Sequence, residues 1–283
     1  MYWLKKALIF SAFFYVPILS AHAASHAVSH TQAVNRVSVC PPQHIDESAR
    51  VNYVYDGDTL QLEDGRKVRL MGIDTPEIFS RHGRIAENIK HSGEQAKATL
   101  KQLLSQSKQR VGLAFGPQRL DRYQRTLAHV YLPDGKNLQA ALISQGRAIA
   151  FTTPPNDRMS DCYQQQEALA IKQKLGIWKL PQYQLKRTGQ LTTSSDGFHR
   201  LQGKVTRIWQ SRSRLTLYLD NRVEIKVRRF DLPNFNTHML SSLENKTIEI
   251  RGWLHLKKSP QAEQNSPEFI MNLRHPDAIK VLN

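Results

Sequence analysis

From residue 50 to residue 73 short apolar stretches alternate with turn dipeptides. Asp56-Gly57 and Asp64-Gly65 are the turns, which predicts a tight β-meander with strands at about 50 to 56, 58 to 63 and 66 to 73. A basic loop follows, containing Arg81, Arg84 and Lys90. Gly93 then opens a helix whose apolar stripe is Ala96, Leu100, Leu103 and Leu104, one buried face. Val111, Leu113 and Phe115 alternate as a strand, and the next strand runs from Arg125 to Leu132. A helix from Asn137 to Gln145 stops at Gly146. The last helix of this half, 160 to 175, presents Ala168, Ile171 and Leu175 to the core, with Trp178 as its seal.

After Leu180 the chain turns polar and reads as a linker over 181–197, followed by a second unit over 198–283. Strands are expected at 202 to 209, 214 to 220, 222 to 230 and 247 to 256 and within 268 to 282, with a short helix near 236 to 244. Five strands with a helix between the third and fourth fit a small OB-type barrel. Arg207, Trp209, Arg212, Arg214, Tyr218, Arg228 and Trp253 are available there to bind single strands, although Trp209 and Trp253 read first as barrel core.

The N-terminus follows a different pattern. Lys5 and Lys6 precede an apolar run that ends in Ala21-His22-Ala23, a small-x-small cleavage site. Residues 1 to 23 therefore read as a signal peptide, cleaved after Ala23, that directs the chain to the periplasm or out of the cell. Residues 24 to 49 form a polar arm. The two cysteines, Cys40 and Cys162, are a disulfide candidate in an oxidising compartment, tying that arm to the last helix of the first unit.

A formal charge of +16 and a pI near 10 point to a polyanionic partner. Candidate chemistry sits in the meander. In antiparallel neighbours the start of the second strand lies beside the end of the third, which brings Asp58 and Asp74 to one edge of the sheet. Two such carboxylates share a proton or take up a cation, and a hard ion such as Ca²⁺ or Mg²⁺ suits them. Pro76 extends Thr75, which frees the Thr75 carbonyl as a further oxygen ligand. Glu77 is placed to hold a water, and Arg69 offers a planar fork for phosphate. Strict alternation would set Arg69 and Asp74 on opposite faces, so convergence requires a bend at Gly72.

The segment V-x-x-V-x-D-G-D-T-L, the run V-R-L-M-G-I-D-T-P-E, the motif D-R-Y-Q-R-T-L-A-H-V-Y from Asp121 and the stretch E-A-L-A-I-K-Q-K-L-G-I-W from Glu167 together resemble the staphylococcal nuclease family over residues 50–180. The resemblance implies a mainly β, α+β fold, a five-stranded OB-type barrel with three helices. It also implies an endonuclease that cleaves DNA and RNA with one Ca²⁺ and leaves 3′-phosphate ends. By the same resemblance Asp58, Asp74 and the Thr75 carbonyl hold the metal, Glu77 is the catalytic base, and Arg69 and Arg125 bind phosphate. Arg122 and Tyr123, in a loop with Arg119, and Arg81 and Arg84 are expected substrate contacts. Phe151 takes the place of a base-stacking tyrosine, and Gln124 stands where the family usually has glycine. DNA and RNA are the expected partners, with no protein partner and no stable membrane association after signal cleavage. The alternative function is an inactive nucleic-acid-binding module on the same basic fold.

Overall fold

The computed structural model describes residues 39–79, 85–257 and 267–282. The expected signal segment, most of the arm, Arg81 and Arg84 lie outside the described residues.

The first half contains β1 (Glu47–Val54), β2 (Thr59–Leu62), β3 (Lys67–Leu70), β4 (Ile73–Asp74), α1 (Glu87–Ser105), β5 (Arg110–Leu120), β6 (Thr126–Tyr131), α2 (Leu138–Ser144), β7 (Ile149–Ala150) and α3 (Ser160–Lys172). Strands β1, β2, β3, β6 and β5 close a barrel in that order. β3 runs parallel to β6. Leu60, Leu62, Val68, Leu70, Leu113 and Val130 fill it, each essentially inaccessible. Three helices pack on it, as expected. α1 lays Ala96, Leu100, Leu103 and Leu104 onto the barrel, and each leucine so buried contributes about 2 kcal/mol.

Two helices differ from the sequence reading. α1 begins at Glu87, so Lys90 belongs to a helix and Gly93 lies inside it. A Cβ on Gly93 would stand 2.4 Å from the Pro76 carbonyl oxygen, so the glycine serves close packing against the Thr75-Pro76-Glu77 turn instead of opening the helix. In α3 the buried face is Tyr163, Glu167 and Ala170, while Ala168 is exposed. A buried glutamate breaks the apolar stripe, which is why Ala168 and Ile171 mis-set its phase. Cys40 and Cys162 are joined by a disulfide.

The second half contains β8 (Leu185–Arg187), β9 (Gly197–Gln210), β10 (Arg214–Leu219), β11 (Val223–Arg228), α4 (Thr237–Ser241), β12 (Thr247–Leu256), β13 (Phe269–Leu273) and β14 (Ile279–Val281). β9, β10, β11, β13 and β12 follow one another in the sheet, and β12 pairs back onto β9 to close a second barrel. Its course repeats the first: an antiparallel meander, a helix, and a last strand parallel to the third. The stretch expected to be a linker is structured. β8 adds to β9 in parallel, and Tyr183 is buried.

Neither Trp209 nor Trp253 is barrel core. On β12, Ile248, Ile250 and Leu254 point inward, so Trp253 faces outward with Glu249 and Arg251. It packs on Phe151 at 4.7 Å and Phe198 at 5.4 Å, between the barrels. On β9 the register shifts between Val205 and Arg207, a bulge that moves Ile208 inward and leaves Trp209 45% exposed. Arg251 of β12 reaches across to Glu167 of α3, pairing with both carboxylate oxygens. Arg251 also donates to the Ala150 carbonyl at 2.8 Å.

Candidate active site

The meander places its charged residues as follows. Asp56 accepts from the Asp58 amide at 3.0 Å, a side-chain turn that sets the start of β2. Leu70 N–H donates to the Asp58 carbonyl, which locks the start of β2 against the end of β3. After Leu70 the chain turns at Gly72, whose φ is +76°, and resumes as β4. That bend reverses the alternation, so Arg69 and Asp74 meet. Arg69 Nη1 lies 3.0 Å from Asp58 Oδ2, and Arg69 Nη2 lies 2.7 Å from Asp74 Oδ1. Asp58 is buried and further held by the Thr75 amide, the Thr75 hydroxyl and the Thr59 hydroxyl, each at 3.0 Å.

β4 pairs with β7, so Asp74 stands opposite Ile149 and its position depends on the second half of the domain. Phe151 N–H donates to the Gly72 carbonyl and continues that attachment. Arg125 is fixed from below by Asp121, which accepts from its backbone at 2.9 Å and from Nε at 2.7 Å, and Nη1 faces the Thr59 hydroxyl at 3.4 Å. The sequence pattern assigns Asp121 no role, although it opens the motif that contains Arg125. Gln124 takes the left-handed conformation, φ +62°, so the turn keeps the shape glycine would give it at a cost of roughly 1 kcal/mol.

The electrostatics follow from this crowding. Burial pushes the Asp74 carboxyl up, the Arg69 guanidinium opposes the shift, and Asp58, Glu77 and Asp56 add to it. Asp56 is raised by burial and then by Asp58. Glu77, on the exposed side of the turn, is raised by desolvation and by Asp58, while Arg69 and Arg125 pull it back. Four carboxylates thus feel one another around two guanidiniums. The donor set is hard oxygen with residual negative charge, which fits a hard divalent cation. Among the described residues no three His, Cys, Asp or Glu side chains are gathered at metal-ligating spacing. Asp58 and Asp74, bridged by Arg69, are the carboxylates that would hold one.

Beside Asp74 and Arg125 runs a groove of about 550 Å³, lined also by Arg122, Tyr123, Phe151 and Arg274. Tyr123 is 59% exposed, with Arg122 against its ring at 4.8 Å. Phe151 is half-buried, and Trp253 lies edge-on against its ring. Arg274, from the second barrel, went unnoticed in the sequence, where nothing about its neighbours links it to the meander.

Residues 67–180 match the family of staphylococcal nuclease homologues. The thermonuclease of Staphylococcus intermedius is 36% identical over 136 residues, which cover 47% of this chain and 77% of that protein. The chain belongs to the staphylococcal nuclease family. The thermonuclease of Staphylococcus hyicus is similar at 32% identity over 137 residues, 47% of this chain and 76% of that protein. Endonuclease YncB of Bacillus subtilis (strain 168) is 34% identical over 136 residues, 47% of this chain and 62% of its own length. The staphylococcal nuclease match ends at residue 180, so the whole second barrel, Arg274 included, lies beyond it.

Proposed function

We propose that this protein is an exported, metal-dependent endonuclease that hydrolyses phosphodiester bonds of DNA and RNA and leaves 3′-phosphate ends. The observation that carries the reading is the convergence of Asp58, Asp74 and Arg69 at one edge of the barrel in a chain similar to thermonucleases. Arg125 on the same groove supports it. Export is supported by the N-terminal pattern and by the Cys40–Cys162 disulfide, a bond that persists in oxidising compartments.

In this reading Asp58, Asp74 and the Thr75 carbonyl hold Ca²⁺, which supplies charge neutralisation at the phosphate when bound. Arg69 and Arg125 donate N–H bonds to the phosphate oxygens as negative charge builds on them, and losing one such donor costs several kcal/mol. Asp121 positions Arg125 so that the guanidinium arrives already oriented. Glu77 takes a proton from a water whose oxygen attacks phosphorus. The bond from phosphorus to the 5′ oxygen breaks, and that oxygen leaves with a proton from solvent. The raised Glu77 carboxyl is a stronger base than a fully solvated one, which suits this role.

Incubating the mature chain with plasmid and with RNA, in Ca²⁺ and in chelator, tests the reading. Degradation that requires metal supports it, and binding without cleavage in either condition sinks it. Glu77→Gln should lower turnover by roughly 10²- to 10⁴-fold with little change in substrate affinity. Equal turnover of that variant would remove Glu77 from the role of base.

A further inference from the structure

A second run of positive charge lies on the outer face of the second barrel. Arg214 on β10 stands directly opposite Arg228 on β11. Val227 pairs with Leu273 at the end of parallel β13, and Arg274 follows Leu273 as Arg228 follows Val227. Leu215, Val227 and Leu273 point into the core, so alternation turns Arg214 and Arg228 outward, and Arg274, one residue past β13, is exposed. Like charges directly opposite across strands are destabilising. Among the described residues no carboxylate pairs with Arg214 or Arg228. A sheet that tolerates this repulsion has the charge complementarity for a polyanion.

Aromatic rings flank the rung. Trp209 is 45% exposed, with the Arg214 guanidinium 5.4 Å from its ring. Phe230 is 66% exposed, with Arg228 at 5.8 Å. Exposed rings beside arginines offer stacking faces to unpaired bases, which a duplex keeps covered. The rung is also continuous with the groove of the first barrel. Arg274 lines that groove together with Asp74 and Arg125. Asp231, 4% exposed, holds Arg274 Nε at 3.2 Å and so fixes the guanidinium at the junction.

Resting on the nuclease reading above, we infer that the second barrel is a track for the single strand leaving the active-site groove. The strand passes Arg274, lays phosphates on Arg228 and Arg214, and stacks bases on Trp209 and Phe230. Two strand spacings separate Arg274 from Arg214, about 10 Å, and Trp209 lies one strand further; at about 3.4 Å per stacked nucleotide a dinucleotide falls short of Trp209, and a strand that continues out of the groove reaches it.

Fluorescence anisotropy in chelator, with labelled oligothymidylates of two and about 20 nucleotides, tests this on the full mature chain. Arg214→Ala/Arg228→Ala should weaken the longer strand at least about tenfold more than the dinucleotide. It should also flatten the salt dependence of the longer strand by about 0.7 per lost phosphate contact. Trp209→Ala should weaken the longer strand, and Trp209→Phe should restore most of it. Arg228 and Trp209 are exposed, whereas Arg214 is half-buried with its Nε enclosed, so Arg214→Lys/Arg228→Lys, which keeps the charge and should keep most of the long-strand affinity, gives a second reading should the alanine pair disturb folding. Equal losses for both lengths, no loss for either, or binding of anionic lipid vesicles with strand affinity untouched would overturn the track. Cleavage by the parent with unchanged long-strand binding by the variants would discard the track and leave the nuclease. A length-dependent loss in the variants of a parent that cleaves nothing would keep the track and discard the nuclease.

Discussion

The Arg251–Glu167 contact is where the two barrels depend on each other most directly. Glu167 is 3% exposed and Arg251 16%, and both Glu167 oxygens face the guanidinium. Glu167 Oε1 also accepts from the Ala150 amide at 2.8 Å, so the same carboxylate pins β7. Replacing Arg251 by Met removes the charge partner but leaves the carboxylate buried with one remaining N–H donor. Breaking a buried pair from one side costs about 3 to 5 kcal/mol, because an uncompensated charge stays in a low dielectric. Adding Glu167→Leu removes that charge, although the Ala150 amide and carbonyl then lose their side-chain partners. The double variant should therefore recover roughly half of the loss. Urea melts followed by tryptophan fluorescence and by far-ultraviolet circular dichroism provide the measurement, since Trp178 and Trp253 sit in the seam. β7 supports β4 and hence Asp74, so cleavage should fall along with stability. An Arg251→Met chain within 1 kcal/mol of its parent, or a double variant no more stable than the single, would refute the reasoning.

Three further outcomes are expected. Gly72→Ala puts a Cβ 2.7 Å from the Tyr163 ring at a φ of +76°, and it should cost about 2 kcal/mol in a denaturant melt and displace Asp74 enough to depress cleavage more than binding. Cys40→Ser/Cys162→Ser opens a loop of 122 residues, which chain entropy values at about 4 to 5 kcal/mol; a melt unchanged by reductant would contradict this. His129 is buried neutral, its pKa held down to about 4 by desolvation and then by Arg158. Its proton binds more tightly to the unfolded chain, so the contribution is intact above pH 6.5 and is lost as pH falls toward 4, by about 3 kcal/mol. His129→Gln should lose that much less than its parent between pH 7 and 4, and parallel curves would show that the histidine is already charged in the fold.

Much of the architecture could be read from local chemistry. The D-G turns set the meander, the i, i+3, i+4 leucines set α1, and the alternation of Ile248, Ile250 and Leu254 set β12, because turn and pleat geometry act over a few residues. Asp58, Asp74 and Arg69 were legible as a group for the same reason: they lie within one meander, and only the bend at Gly72 was needed to bring them together. The outward positions of Trp209 and Trp253 depended on more than composition. A bulge near Thr206 changes which residues of β9 face the core, and a bulge is set by what the neighbouring strand can pair with. Glu167, Arg251 and Arg274 were decided by tertiary structure alone. A buried glutamate is tolerable only where a guanidinium from a distant strand reaches it, and the strand that brings Arg274 to the groove is held there by closure of a barrel outside the family match. Sequence spacing carries no information about such partners, since the free energy that places them comes from contacts between segments more than 80 residues apart.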